Sequence, residues 1–240
     1  FDYPGGCEDP RVVKAEDGSY IMTYTSWNQD VARLSIARSN DLYTWQKEGP
    51  ALEAAFDGQF LDTWSKSGSI VCRREGDELI ATKINGKYWM YFGERGVNLA
   101  WSDDLLDWTP LTNGDELAIV METREGYFDS FLTEPGPPAL VTDQGILLIY
   151  NGKNDEGDLA ADNIPKGTYC GGQALFDLSD PSKFISRLDE PFICPTLPHE
   201  VTGQYKAGTT FLEALVPFKN QWLLYYGTAD SFVGVSIADQ

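Results

Sequence analysis

The chain has 240 residues, with 37 acidic side chains against 18 basic ones and a formal charge of −19. That balance argues against a nucleic-acid partner, which needs a basic footprint, and against an anionic membrane surface. A hydrophobic share of 42% and a high aromatic share of 13% fit one β-rich globular unit, and no apolar run approaches the roughly 20 residues of a membrane-spanning helix.

In chain order, the first distinctive phrase is Cys7-Glu8-Asp9-Pro10-Arg11, an acidic pair braced by proline with a guanidinium two residues after Asp9. Asp17-Gly18-Ser19-Tyr20-Ile21-Met22-Thr23-Tyr24 follows, a turn signal running into a short aromatic and aliphatic strand. Its pattern returns at Asn85–Phe92, Asp143–Tyr150 and Lys219–Tyr226. A second phrase, Ser-x-Asp-Leu-x-x-Trp, follows the first two copies at Ser39–Trp45 and Ser102–Trp108. Between them lies the polar cluster Asp62-Thr63-Trp64-Ser65-Lys66-Ser67-Gly68. After the second copy comes a glycine-flanked carboxylate, Phe92-Gly93-Glu94-Arg95-Gly96, and then a rigid turn, Thr133-Glu134-Pro135-Gly136-Pro137-Pro138. The stretch Asn151–Gly167 reads as a long loop inside one repeat.

Strand-turn-strand repeats at roughly 60 to 75 residues, with no helical pattern between them, predict an all-β five-bladed β-propeller. Residues 1–240 read as a single propeller domain covering about three and a half blades at that period, with an N-terminal blade and the extreme C-terminus expected to lie outside it. Long loops on such a fold build the mouth of the central channel, where functional groups collect.

The chemistry of that mouth narrows by elimination. The sole histidine, His199 in Pro198-His199-Glu200, gives no nucleophile-histidine triad and is a loop residue or a substrate contact. Cys7, Cys72, Cys170 and Cys194 have no metal-type spacing and read mainly as buried thiols, with a disulfide as the less favoured alternative. No metal or cofactor is expected. Carboxylates remain, and most must simply solvate the surface. Glu94 stands out because the equivalent position of the last repeat is Thr228, so the repeat itself does not require an acid there.

These phrases, with Lys83-Ile84-Asn85-Gly86-Lys87-Tyr88 and the closing Tyr225-Tyr226-Gly227-Thr228-Ala229-Asp230-Ser231-Phe232, together resemble glycoside hydrolase family 130. The resemblance runs in order through almost the whole chain. It implies a five-bladed propeller acting on β-mannosides, either as a phosphorylase or as a hydrolase. The family's general acid falls on Asp9, which is thought to deliver its proton through a hydroxyl of the bound mannose. Phosphorylase members usually follow the Lys87-Tyr88 strand with a His-Arg pair that helps bind phosphate. This chain has Phe92-Gly93 and then Glu94, and Glu134 further on.

A carboxylate about 4 Å from a phosphate oxygen costs on the order of 4 kcal/mol at an effective dielectric near 20, roughly a thousandfold in affinity. An attacking water needs just such a group to take its proton. The expected activity is therefore inverting hydrolysis of β-mannosidic linkages in oligosaccharides, with Asp9 as acid and Glu94 or Glu134 as base. Arg11, Trp27, Asp62, Trp64, Lys66, Lys83, Tyr169, His199 and Asp230 are the candidate substrate contacts. Lys66, Lys83, Arg73, Arg74 and Arg95 are the cations from which an anion site could be rebuilt. A β-mannoside phosphorylase, an arabinanase- or xylosidase-type pentosidase and a non-catalytic carbohydrate-binding propeller remain as alternatives. Oligomeric state and compartment stay open.

Overall fold

The computed structural model describes residues 1–239. Strands β1 (Gly6–Lys14), β2 (Tyr20–Trp27), β3 (Ala32–Ser39) and β4 (Gln46–Pro50) form an antiparallel meander. A second group comprises β5 (Ser69–Glu75), β6 (Glu78–Ala81), β7 (Tyr88–Phe92), β8 (Val97–Ser102) and β9 (Thr109–Pro110). In it β5 pairs with both β6 and β7, and β8 joins β7 to β9. The short strands β10 (Thr112–Asn113), β11 (Glu116–Leu117) and β12 (Ile119–Met121) follow, and β12 closes against β8. In the third group β13 (Leu132–Pro135) and β14 (Ala139–Thr142) pair successive halves of β15 (Gly145–Lys153), which continues to β16 (Tyr169–Phe176) and β17 (Phe184–Arg187). The last is β18 (Thr210–Phe218), β19 (Gln221–Thr228) and β20 (Phe232–Asp239). The fold is all-β, with two short 3-10 turns, and no closed ring forms among the described residues.

The four repeat copies run into β2, β7, β15 and β19, one in each group. The groups also meet through parallel pairs: β1 of the first group runs parallel to β6 of the second at Lys14 and Ile80, and β14 of the third parallel to β5 of the second at Ala139 and Val71. Apolar side chains fill the spaces between neighbouring groups. Ile36, Ile70, Met90, Phe92 and Leu212 pack in one cluster, and Tyr91, Val97, Phe128, Tyr150 and Phe176 in another. Each fully buried side chain of this size contributes about 1.5–3 kcal/mol.

The Ser-x-Asp-Leu-x-x-Trp phrase proves to be a turn device used twice. Ser39 Oγ accepts from the amides of Asp41 and Leu42, Asp41 Oδ1 from those of Tyr43 and Thr44, and Trp45 Nε1 donates back to Leu42 O. Ser102, Asp104 and Trp108 repeat every one of these bonds. The bonds hold Leu42 and Leu105 at φ 65° and 72°, a region non-glycine residues rarely adopt. Asn151–Lys153 belongs to β15 rather than to the loop that follows. Asn151 is buried and exchanges hydrogen bonds with both backbone groups of Leu212, tying β15 to β18.

The cysteine expectation needs correcting. Cys170 and Cys194 form a disulfide with Cα atoms 4.5 Å apart, and Cys7 is exposed; only Cys72 is a buried thiol. The pair meets because the segment after β17 folds back on β16, with Gly171 N donating to Ile193 O at 2.8 Å and Phe192 N donating to Gly171 O at 3.0 Å. Sequence spacing carries no trace of that return. Alkylation of the denatured, unreduced protein is expected to modify Cys7 and Cys72 alone. Replacing Cys170 and Cys194 by Ser should lower unfolding stability by about 3 kcal/mol in a denaturant titration.

Candidate active site

Asp9 projects from a bulge in β1. Glu8 pairs with Thr25 and Arg11 with Thr23, so Asp9 and Pro10 bow out of the ladder. Asp9 sits at φ 53° just before a proline, a conformation that the surrounding contacts must hold in place. The buried Arg11 supplies that hold. Its Nη1 donates to Asp9 O at 2.8 Å, its Nε to Gly136 O at 2.6 Å and its Nη2 to Pro135 O at 3.0 Å. Gly136 is required there, because a Cβ would stand 2.9 Å from Ile149 O and 3.1 Å from Leu212 O.

The second and third carboxylates arrive on neighbouring segments stitched together by main-chain bonds. Gly93 N donates to Lys66 O at 2.9 Å, and Thr133 N to Glu94 O at 3.1 Å. Gly93 has φ 109°, and a Cβ would lie 2.7 Å from Gly96 O, so this strand end can be tight only with glycine. Glu134, on β13, is 2% exposed and accepts a hydrogen bond from Ser67 Oγ.

These side chains line one cavity of about 540 Å³. Its carboxylates are Glu8, Asp9, Glu94, Glu134 and Asp230, and its single cation is Lys66. Tyr169, Tyr205 and Phe211 supply aromatic wall, and Gln204 and Thr209 supply polar atoms. Lys66 Nζ lies 3.4 Å from Asp9 Oδ2. Burial opposes its charge, but Glu134, Asp9, Glu94 and Glu8 outweigh that and hold the ammonium above its ordinary range. Burial pushes Glu134 up to about 7, with Asp9 adding and Lys66, Ser67 and Arg11 opposing. Asp230, in the turn between β19 and β20 at φ 52°, is raised by burial and by Asp9 against the pull of Lys66.

Of the residues singled out from sequence, Asp9, Glu94, Glu134, Lys66, Tyr169 and Asp230 meet in this cavity. Arg11 lies beneath it as the backbone clamp, with no free face for a sugar. Trp27 and Trp64 pack edge to face at 5.6 Å, and Trp64 lines an adjoining cavity of about 480 Å³ that shares Glu94 as its wall. Asp62 forms an ion pair with Arg33 at 2.5 Å. Lys83 lies 4.8 Å over the Tyr88 ring. His199 is exposed on a 3-10 turn, where the anchoring group is Glu200, bonded to Tyr226 and to the amides of Thr196 and Leu197. The other sequence-flagged cations are engaged elsewhere: Arg73 with Glu75 and Glu16, Arg74 over Trp222, Arg95 over Phe131. Ser67, Gln204, Tyr205, Thr209 and Phe211 were not anticipated, nor was Glu213, although an acid inside the apolar run Phe211-Leu212-Glu213-Ala214-Leu215 is a visible signal.

A family profile described as beta-1,4-mannooligosaccharide phosphorylase, that of glycoside hydrolase family 130, matches residues 2–240. The chain belongs to glycoside hydrolase family 130. It is 32% identical over 238 residues to the 1,2-beta-oligomannan phosphorylase of Thermoanaerobacter sp. (strain X514), spanning 98% of this chain and 68% of that one. A glycosyl hydrolase from Bacteroides ovatus is 51% identical with a TM-score of 0.96, over 99% of this chain and 66% of that one. A solved structure at 48% identity and TM-score 0.97 comes with a description of family 130 as containing glycoside hydrolases that target beta-1,2 mannosidic linkages in Candida mannan. The match to it covers 99% of this chain and 66% of that one.

The raised Glu134 has a stability consequence. An ordinary glutamate ionises near 4.5, so between about 4.5 and 7 the unfolded chain has released a proton that folded Glu134 still holds. Folding stability therefore falls as pH rises through that window. Relative to Glu134→Gln, the wild type is expected to lose up to about 3 kcal/mol across it, read by urea unfolding at a series of pH values.

Proposed function

We propose that this chain is the catalytic region of a five-bladed family 130 propeller that hydrolyses β-mannosidic linkages with inversion. The observation that carries the reading is the charge of the cavity: five carboxylates against Lys66 alone, with Arg73, Arg74, Arg95 and Lys83 turned to other partners. A phosphate dianion entering there meets repulsion on the order of 4 kcal/mol from each close carboxylate. Water meets none, and finds a proton acceptor.

In this reading Asp9 protonates the leaving oxygen, by way of a mannose hydroxyl, and the proton taken from water goes to Glu134. Glu134 is assigned as the base because its buried carboxyl titrates close to neutral pH, where a base is both ionised and strong enough to accept. Glu94, half-buried on the cavity wall, orients the water. Lys66 supports the carboxylates electrostatically, and Tyr169 and Asp230 bind the sugar. The likeness to solved structures described as glycosyl or glycoside hydrolases supports the hydrolytic reading. Phosphorolysis is the second reading, favoured by the curated relatives described as phosphorylases and by the presence of Lys66 in the cavity.

Turnover of β-mannosides, including β-1,2-linked ones, is expected without phosphate, releasing free mannose. Time-resolved proton NMR should show the α-anomer first. Mannose 1-phosphate rising in proportion to added phosphate would select phosphorolysis, and the β-anomer first would mean retention and a covalent intermediate.

Glu134→Gln is expected to lower kcat by about two to four orders of magnitude while the protein stays folded. The wild-type rate should rise with pH through about 7 as Glu134 ionises, and Glu94→Gln should leave that midpoint in place while slowing turnover. Asp9→Asn should lose most on poor leaving groups and least on activated aryl mannosides. A near-normal rate in Glu134→Gln would remove the base assignment.

A further inference from the structure

Glu213 projects from β18 behind Arg11 and is not part of the cavity lining. Among the described residues, neither of its carboxylate oxygens has a hydrogen-bond partner, and both are buried. Its close cation is Arg11, whose Nη2 lies 3.6 Å away. That same Nη2 donates to Pro135 O at 3.0 Å. The groups facing Glu213 are Arg11 and Asp9 from β1, Glu134 from β13 and Lys66 from the segment before β5. A buried carboxyl without a partner is expensive to keep, and here it stands against the one guanidinium that holds both the Asp9 bulge and the Pro135–Gly136 turn.

We propose that Glu213 is a positioning residue for Asp9 and Glu134, acting through Arg11 as a proton-controlled competitor for its guanidinium. While Glu213 is neutral, Arg11 is left to the three carbonyls it now holds. When Glu213 gives its proton to solvent, a carboxylate 3.6 Å away competes with Pro135 O for Nη2, and it adds the attraction between two full charges that a neutral carbonyl lacks. The clamp then slackens, and the two carboxylates it registers lose their fixed separation. Burial pushes Glu213 up to about 8, with Arg11 opposing, Asp9 and Glu134 adding, and Lys66 opposing. The competition therefore falls on the alkaline side of neutrality, above the ionisation of Glu134.

The kinetic part of the test rests on the hydrolytic reading; the spectroscopic part does not. In the whole protein labelled with carboxyl-13C glutamate and amide 15N, one glutamate should titrate near pH 8. The amides of Asp9 and Gly136 should shift with the same midpoint. Glu213→Gln should abolish both changes, and Glu213→Asp should restore the amide response. On a β-mannoside, the alkaline limb of kcat should move up by about one pH unit in the glutamine variant. Amides of Asp9 and Gly136 that ignore this titration in the wild type, or pH behaviour identical in wild type and Glu213→Gln, would overturn the proposal. If the glutamine variant does not fold, the wild-type amide titration decides alone. Absence of β-mannoside turnover in the wild type would count against the hydrolytic reading, and the NMR titration would still decide the role of Glu213.

Discussion

One buried guanidinium holds the site together. Arg11 leaves β1, crosses to the turn after β13 and stands against β18, so three of the four strand groups meet at a single side chain. Burying a charge is tolerable only when hydrogen bonds replace the lost water. Here three carbonyls supply that replacement, with the Glu213 carboxyl 3.6 Å away. Removing the guanidinium would leave those acceptors unpaired in the interior, a loss on the order of 3–5 kcal/mol. Asp9 can keep its left-handed backbone because the carbonyl of that same residue is one of the three.

The electrostatics of the cavity follow from this scaffold. Five carboxylates brought together without compensation would repel one another and favour protonation. Lys66 offsets part of that repulsion, and Ser67 offers Glu134 a hydroxyl. The raised affinity of Glu134 for its proton comes first from burial, with Asp9 adding to it and Lys66 opposing. The loss of stability as pH rises therefore has its origin in burial.

Much of the fold was legible in the sequence because its signals are local. Each repeat copy is a turn followed by a strand within eight residues of chain, and each became a strand of the expected kind. Glu94 was legible because it departs from the repeat at a position where Thr228 suffices. Ser67 and Glu213 were harder, since what distinguishes them is a partner far away in sequence: Glu134 for one, Arg11 for the other. The same holds for Cys170 and Cys194, paired by a fold-back of the chain. Trp27, Trp64 and His199 are the converse case, for an aromatic or imidazole at a strand end or in a loop reads the same in sequence whether it lines this cavity or lies outside it.

The main-chain bonds from Gly93 to Lys66 and from Thr133 to Glu94 place the functional side chains on adjoining strand ends that share a seam. Such a seam works like meshed gears. The third strand group cannot tilt against the second without shearing the Thr133–Glu94 backbone hydrogen bond beside the cavity, so small rigid-body motions of the sheets are converted there into loss of alignment. Sequence change on the outer strands is then free to alter rims and loops, whereas any drift that alters the angle between neighbouring groups is registered first at the cavity wall.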